Sequence, residues 1–226
     1  MSYIEDIRNE LYSSGKELYY SNMVGQDHLI KTADVKQAII KDLIKKYYVI
    51  EDFSIDELDV YESVEMQLLY FGIGLRRLKS FEEKLQFIDK NANIARSWMT
   101  TDLCNQYLKK PNFTVFKPYF LKFKEKHGEY EIRFAYVIGL LFYKDMDNCK
   151  FFLDNFIKDD RYYVMMSMAW LLSYIAITDF EGVVDIIKSD KITLICKKKA
   201  ISKIIDSFRI SDEKKNYLRE LRKELK

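Results

Sequence analysis

The 226-residue chain has little of the two residue types that interrupt helices, since it contains only two prolines and seven glycines. Leucine, isoleucine, lysine and glutamate dominate instead, and this mixture favours helix. The breaks fall at glycines and short polar stretches, which separate about ten to twelve helical segments. No segment has a convincing strand pattern. The sequence therefore predicts an all-α fold, formed by one domain that spans residues 1–226.

Cysteine and histidine are also scarce, which bears on disulfides and metal sites. The three cysteines, Cys104, Cys149 and Cys196, are odd in number and lie far apart in the sequence. We therefore expect reduced thiols in the core of a cytosolic protein. The two histidines, His28 and His127, have no metal-like spacing. We accordingly expect no metal site and no other cofactor.

A hydrophobic run long enough to suggest a membrane protein is missing as well. Residues 162–178 carry no charge, but their length is marginal for a membrane span, and Arg161 and Asp179 bound them tightly. A buried core helix is the expected structure for this segment. The first ten residues already include acidic and basic side chains, unlike a secretory signal. We therefore expect a cytoplasmic protein that makes no membrane contact.

The second half of the sequence alternates amphipathic helical segments with more apolar ones. The pairs follow one another at roughly 30–35 residues, a period typical of a HEAT-like helical-repeat solenoid. In such a solenoid the second helices of successive pairs line an inner layer. A plain all-α bundle is the alternative. The predicted pairs are 112–126 with 130–144, 146–157 with 161–177, and 179–188 with 192–208.

Several helix starts have the sequence signature of a cap. A serine or threonine followed by glutamate at the third position after it forms a capping box. A serine can also cap a helix alone, with acidic residues in the first turn. The predicted boxes are Ser54 with Glu57, Ser80 with Glu83, and Thr178 with Glu181, and Ser211 is the predicted single cap.

The formal net charge of +2 conceals an uneven distribution. Acidic residues outnumber basic ones in residues 1–96, and basic residues outnumber acidic ones in residues 97–226. Lysines cluster at 197–199, with Lys203 nearby. Such clusters can contact phosphates, although a solvated lysine-rich surface is the ordinary explanation.

Four residues stand out from these predicted helices. Trp98 and Asp102 are four residues apart, so on a helix they share one face. Arg133 is an isolated charge in an apolar segment, and it must reach solvent, pair with an acid such as Asp102, or face a groove. Trp170 lies in the middle of the uncharged segment. Taken singly, each has an ordinary structural explanation: a core tryptophan, a surface acid or a salt-bridged arginine.

Four stretches together resemble the bacterial DNA alkylation repair enzyme family, the AlkD-like DNA glycosylases. Ser97–Asp102 (SWMTTD) is similar to the family's Asn-Trp-x-x-Cys-Asp segment, and Glu131–Ala135 (EIRFA) to its Arg-Phe-Ala helix. The resemblance extends in order over nearly the whole chain and is strongest from Trp98 to Arg219. The other two stretches are 162–172 (YYVMMSMAWLL) and 199–213.

This resemblance implies both a fold and an activity. The family forms a HEAT-like solenoid with a concave DNA-binding face, and its members excise positively charged N3- and N7-alkylated purines from double-stranded DNA without a deep base pocket. By position, Asp102 matches the catalytic aspartate. Trp98 and Trp170 match the aromatic residues at the lesion, and Arg133 matches the arginine that contacts nearby DNA. A monomer that needs no cofactor is implied.

The chain departs from the family pattern in its N-terminal motif, at residues 29–36. Lys31 and Lys36 replace two arginines, so the charge is kept while the planar guanidinium that grips a phosphate with two hydrogen bonds is lost. Two alternatives to a glycosylase therefore stay open: a non-catalytic HEAT-like protein that binds DNA structure, and a scaffold that binds another protein. The candidate contacts to the DNA backbone are Lys31, Lys36, Lys197, Lys198, Lys199 and Lys203.

Overall fold

The computed structural model describes residues 2–21 and 30–225, and its fold is all-α, as the sequence predicts. The chain divides into two compact units, Met1–Lys110 and Pro111–Lys226. A single domain over residues 1–226 stays a prediction. Within the described part of the chain, no helix is long and apolar enough to cross a membrane.

The first unit is organised around its most buried helix, α3. Every residue of α3 from Val64 to Leu75 is buried, and the helix packs against α2 and α5 as well as against α4. Two single-turn 3₁₀ helices, Ile55–Glu57 and Ala92–Ile94, precede α3 and α5. The helices of this unit are α1 (Tyr3–Ser14), α2 (Gln37–Tyr47), α3 (Val64–Arg77), α4 (Phe81–Asn91) and α5 (Trp98–Tyr107).

A short antiparallel strand pair corrects the prediction that the chain contains no strand. Strand β1 (Tyr19–Tyr20) pairs with β2 (Lys31–Thr32), with Tyr19 opposite Thr32 and Tyr20 opposite Lys31. A strand of two residues is too short to show the alternation of apolar and polar residues by which strands are predicted. The prediction was wrong for this physical reason.

The second unit contains the predicted helix pairs in the predicted order. Helix α9 packs between α7 and α11, so the second helices of successive pairs lie side by side. Helix α6 packs on α7, α10 packs on α9, and α12 packs on α11. The assignment to HEAT-like repeats stays a prediction. The helices are α6 (Phe113–Lys124), α7 (Glu129–Gly139), α8 (Met146–Asp154), α9 (Tyr162–Thr178), α10 (Phe180–Lys188), α11 (Leu194–Ile205) and α12 (Asp212–Glu224).

Helix α9 is the uncharged segment, and its burial confirms a core helix. Its residues face α7 on one side and α11 on the other, which accounts for the absence of charge. One stripe along the helix is less buried than the rest. The half-buried positions recur at helical spacing and comprise Tyr162, Met166, Trp170, Tyr174 and Ile177.

Two of the predicted caps are confirmed in full. The Ser80 hydroxyl accepts the amide N–H of Glu83 at 3.1 Å, and the Glu83 carboxylate accepts the amide N–H of Ser80 at 2.7 Å. These hydrogen bonds lower the pKa of Glu83 below its usual value, because they stabilise its ionised form. Ser211 caps α12 by accepting the amide N–H of Lys214.

The other two predicted caps need correction. Ser54 caps the 3₁₀ turn Ile55–Glu57 rather than an α-helix. The predicted box of Thr178 with Glu181 is wrong, because α9 continues through Thr178 and Asp179 caps α10 instead. The Asp179 carboxylate accepts the amide N–H of Gly182 at 3.0 Å. The Thr178 hydroxyl donates a hydrogen bond to the carbonyl of Tyr143 instead of capping α10.

The three cysteines are buried and carry free thiols, as the sequence predicts. Burial disfavours the thiolate and raises the pKa of Cys149 and of Cys196 to about 12. The pKa of Cys104 is raised well above its ordinary value for the same reason. These thiols are therefore structural core residues and poor nucleophiles near neutral pH.

The buried side chain of Gln67, on α3, fixes the start of α5. Its amide nitrogen donates to the carbonyls of Val60 and Ile94, at 3.0 and 2.9 Å. Its amide oxygen accepts the backbone N–H of Arg96 and the hydroxyl of Thr100, both at 3.1 Å. These bonds use both donors and both lone pairs of the amide. Gln67 thereby ties α3 to the segment that precedes α5 and to the first turn of α5.

We predict that Gln67→Leu lowers the free energy of unfolding by about 3 kcal/mol or more, because four buried or partly buried polar groups lose their common partner. Urea denaturation followed by circular dichroism measures the change. Gln86→Leu, on the exposed side of α4, is the matched control and should stay within about 0.5 kcal/mol of wild type. Equal stabilities for the two variants would contradict this account of Gln67.

Candidate functional site

The start of α5 places Trp98 and Asp102 on one face, as their spacing predicts. Ser97 is the N-cap: its backbone is extended, and its hydroxyl accepts the amide N–H of Met99 at 3.1 Å. The helix therefore begins at Trp98, with Asp102 one turn further on. Both half-buried side chains line one pocket of about 50 Å³ in the first unit, which we call the Asp102 pocket.

A buried hydroxyl stands next to the carboxylate of Asp102. The hydroxyl of Thr101 lies 2.8 Å from the carbonyl of Trp98 and 3.2 Å from Oδ1 of Asp102. Thr101 is fully buried, so this hydroxyl is held against both groups. A hydroxyl has one proton to donate, so at any moment it serves one of these two acceptors.

Helix α2 supplies a second wall of the Asp102 pocket, which the sequence did not predict. Lys41 brings a positive charge and Gln37 an amide to this wall, and Gln106 of α5 brings a second amide to the pocket. The surface position of Lys41 follows from the buried positions of α2, Ile40 and Ile44 among them. Its place beside α5 depends on the packing of α2 and α5 against α3, for which the sequence contains no signal. The remaining lining residues are Ile40, Leu68, Met99 and Leu103.

Trp170 lines a much larger pocket in the second unit, of about 460 Å³. Its half-buried indole meets the ring of Tyr174 edge to face, at 6.4 Å between centroids. The other wall is formed by the end of α11 and the loop that follows it. We call this the Trp170 pocket, and its lining consists of Trp170, Ser173, Tyr174, Lys203, Asp206, Ser207, Phe208 and Arg209.

Arg209 is held in the Trp170 pocket by two tyrosines, a role that the sequence did not predict. Its guanidinium lies 4.7 Å from the ring centroid of Tyr174 and donates to the hydroxyl of Tyr143 at 3.1 Å. The two tyrosine rings themselves pack edge to face at 5.0 Å. The spacing of four residues between Trp170 and Tyr174 could have predicted that they share a face of α9. The placement of Arg209 depends on the path of the loop after α11, which spacing does not reveal.

Arg133 is buried on α7, at 4% exposure, and its Nη1 donates to the carbonyl of Tyr163 at 3.0 Å. This bond joins α7 to the first turn of α9. A carboxylate of α7, that of Glu129, accepts the amide N–H of Tyr163 in turn. The contact of Arg133 with DNA stays a prediction.

The lysines of α11 differ in exposure. Lys197 is buried at 8% exposure and Lys198 is half-buried, whereas Lys199 is exposed. The Lys199 ammonium lies 5.8 Å from the ring centroid of Tyr162. Lys203 follows one turn later on the same face and lines the Trp170 pocket. Lys199 and Lys203 are thus the lysines of this cluster that lie near the half-buried stripe of α9.

The two lysines of the N-terminal motif are both exposed. Lys31 lies on β2, with its ammonium 5.7 Å from the ring centroid of Tyr20. The next residue on this strand, Thr32, donates to the buried carboxylate of Glu65 at 2.8 Å, which anchors β2 to α3. Lys36 is the N-cap residue of α2 and makes no side-chain cap. Leu29, the first residue of the motif, lies outside the described residues.

The structure therefore brings the predicted residues together in two groups. Trp98 and Asp102 share a pocket in the first unit, and Trp170 and Lys203 share one in the second. Within residues 2–21 and 30–225, no group of three histidine, cysteine, aspartate or glutamate side chains could hold a metal ion. His28 lies outside the described residues.

Comparison with known proteins shows a shared fold. No protein-family model matches the chain, and no curated protein matches it either. Among solved structures, the chain is similar to a predicted DNA alkylation repair enzyme from Enterococcus faecalis, with a TM-score of 0.61 and 16% sequence identity. The likeness covers 80% of this chain and 92% of the other. The protein is thus an all-α protein with the fold of that enzyme.

The charges around the two tryptophans predict different responses to ionic quenchers. Lys203 and Arg209 outweigh Asp206 around Trp170, whereas Lys41 balances Asp102 around Trp98. We predict that iodide, relative to caesium, quenches Trp170 about twofold more effectively than Trp98, because cations concentrate the anion locally. Fluorescence of Trp98→Phe reports Trp170, and that of Trp170→Phe reports Trp98. A free tryptophan derivative normalises the two quenchers, and equal ratios for the two variants would contradict the prediction.

Proposed function

We propose that the chain belongs to the DNA alkylation repair enzyme family and hydrolyses the N-glycosidic bond of positively charged N3- and N7-alkylated purines in double-stranded DNA. The observation that carries this proposal is the pairing of Trp98 with Asp102 in one pocket of α5. The fold shared with a predicted DNA alkylation repair enzyme and the resemblance of the sequence to that family support it. The proposed enzyme is a cytoplasmic monomer without a cofactor.

The chemistry of alkylated purines suits a single carboxylate. Alkylation at N7 or N3 makes the base a cation, so it departs with the electron pair of the glycosidic bond without prior protonation. The sugar then acquires oxocarbenium character. The carboxylate of Asp102 would stabilise this cation and orient the water whose oxygen bonds to C1′. The water releases its proton to Asp102 or to solvent.

The size of the Asp102 pocket suits a bound water molecule. A volume of about 50 Å³ exceeds the ~10–15 Å³ that a single water needs. The site can therefore hold the attacking water beside the carboxylate of Asp102.

The aromatic and cationic residues have complementary proposed roles. The indoles of Trp98 and Trp170 attract a cationic base or the electron-poor C–H groups of the sugar. The contact of Arg133 with a DNA phosphate rests on the family resemblance alone, because the side chain is 4% exposed and bonds the carbonyl of Tyr163. The exposed lysines Lys31, Lys36 and Lys199 suit contacts to the DNA backbone.

We predict that the protein releases 7-methylguanine from duplex DNA faster than the spontaneous rate, and that Asp102→Asn slows this release on the order of 10²–10³-fold. Substitution by asparagine keeps the shape but removes the negative charge that faces the developing cation. Liquid chromatography of the free base under single-turnover conditions measures the rate. Asp42→Asn makes the same change at an exposed position of α2 outside the pocket, and should leave the rate unchanged.

Two outcomes would contradict this proposal. The first is no release above the spontaneous rate, and the second is equal release by wild type and Asp102→Asn. A protein that binds DNA structure without catalysis is the second candidate, favoured by Lys31 and Lys36 in place of arginines. It predicts salt-dependent DNA binding without base release. A scaffold that binds another protein predicts neither DNA binding nor base release.

A further inference from the structure

Phe208 is conspicuous on the surface of the second unit, because its side chain is fully exposed, at 101%. It lies in the loop that joins α11 to α12. The loop is anchored directly after it, where Arg209 bonds to Tyr143 and Ile210 is buried. A single exposed apolar ring is ordinary on a protein surface, but this ring lies at the edge of a pocket lined by aromatic and charged side chains.

The Trp170 pocket, of which Phe208 forms one edge, has the size and composition of a ligand site. Its volume of about 460 Å³ lies within the range of ~300–1,000 Å³ that small-ligand sites occupy. Trp170, Tyr174 and Phe208 supply aromatic rings. The charged groups of the lining are Lys203, Arg209 and Asp206, which together favour an anionic ligand.

We propose that the Trp170 pocket binds a single unstacked nucleotide of the DNA. The rings of Phe208 and Trp170 offer faces on which the base can stack, and Lys203 and Arg209 offer positive charge to its phosphate. This inference rests on the proposed function to the extent that the chain binds DNA. The resemblance to the family assigned Trp170 to the lesion but gave no role to Phe208 or Arg209, which the inference adds as binding residues.

Aromatic rings combined with cations are the arrangement by which proteins hold unstacked nucleotides. Every base has a π face, and every nucleotide brings a phosphate, so stacking and charge together recognise the nucleotide with little regard to sequence. The edge-to-face contact of Trp170 with Tyr174 fixes the indole in the pocket wall. The carboxylate of Asp206 can accept a hydrogen bond from an exocyclic amino group of the base.

The two pockets differ in a way that supports this assignment. The Asp102 pocket, at about 50 Å³, is much smaller than the Trp170 pocket, at about 460 Å³, which has room for a nucleotide. We therefore assign the attacking water to the first pocket and the unstacked nucleotide to the second.

The test uses two 20-base-pair duplexes that differ only in one unpaired 2-aminopurine nucleotide. Fluorescence anisotropy measures affinity, and 2-aminopurine emission reports stacking. We expect wild type to bind the bulged duplex more tightly than the paired duplex. Phe208→Ala should weaken binding to the bulged duplex by about 5- to 100-fold, as the loss of one stacked base does, and leave the paired duplex unaffected. Phe208→Tyr should retain the affinity.

Tyr217→Ala, on α12 outside the pocket and also exposed, is the matched control and should bind like wild type. Phe208→Ala should keep the wild-type thermal midpoint, since its side chain is in solvent. Equal affinity of wild type and Phe208→Ala for the bulged duplex would overturn the proposal. So would an equal loss on both duplexes, or failure of wild type to prefer the bulge.

The binding test with Phe208→Ala and the base-release assay with Asp102→Asn can fail independently of each other. If 7-methylguanine is released through Asp102 but Phe208→Ala binds the bulge normally, the nucleotide site is refuted and the proposed function stands. If Phe208 is needed for the bulge while no base is released, the nucleotide site is supported and the glycosylase proposal fails.

Discussion

The amide of Gln67 makes four hydrogen bonds inside the first unit, and the geometry of the Asp102 pocket depends on them. They attach α3 to Ile94 and Arg96, which precede α5, and to Thr100 in its first turn. Trp98 lies within this turn, and Asp102 follows it. A carboxylate that stabilises a developing cation must be held in place before the reaction, because reorganisation during the reaction costs free energy. In the proposed mechanism, the buried Gln67 provides that preorganisation.

In the second unit, the corresponding constraint is the packing of α9 between α7 and α11. This packing covers most of α9 and leaves one stripe half-buried, on which Trp170 and Tyr174 lie one turn apart. The charged groups of the Trp170 pocket come from α11 and from the loop after it. Helix α9 therefore supplies the aromatic wall, α11 supplies Lys203, and the connection to α12 supplies Arg209 and Phe208.

The sequence predicted those features that depend on residues close together in the chain. The helix pairs of the second unit follow from the alternation of amphipathic and apolar segments. The caps at Ser80 and Ser211 and the shared face of Trp98 and Asp102 follow from spacing within one helix or at its start. The β1–β2 pair was missed, because each strand has only two residues. Thr178 was mistaken for a cap because spacing alone cannot show that α9 extends through it.

The features that escaped prediction depend on which helices pack together. Lys41 joins the Asp102 pocket because α2 and α5 pack on the same helix, and Gln67 is central because distant backbone groups converge on it. Trp170 could not be placed on a face of α9, since an almost wholly apolar helix has no polar side to mark its orientation. The surroundings of Trp98, Asp102, Arg133 and Trp170 therefore became visible only in the folded structure.

The central claim, that the α5 pair acts on the glycosidic bond, is tested most directly by a crystal structure of Asp102→Asn bound to a duplex with one N7-alkylated purine. The account predicts that the carboxamide at position 102 lies within about 3 Å of a water facing C1′ of the modified nucleotide, with the Trp98 indole beside the same sugar or base. A complex in which the DNA leaves the Asp102 pocket untouched would contradict it.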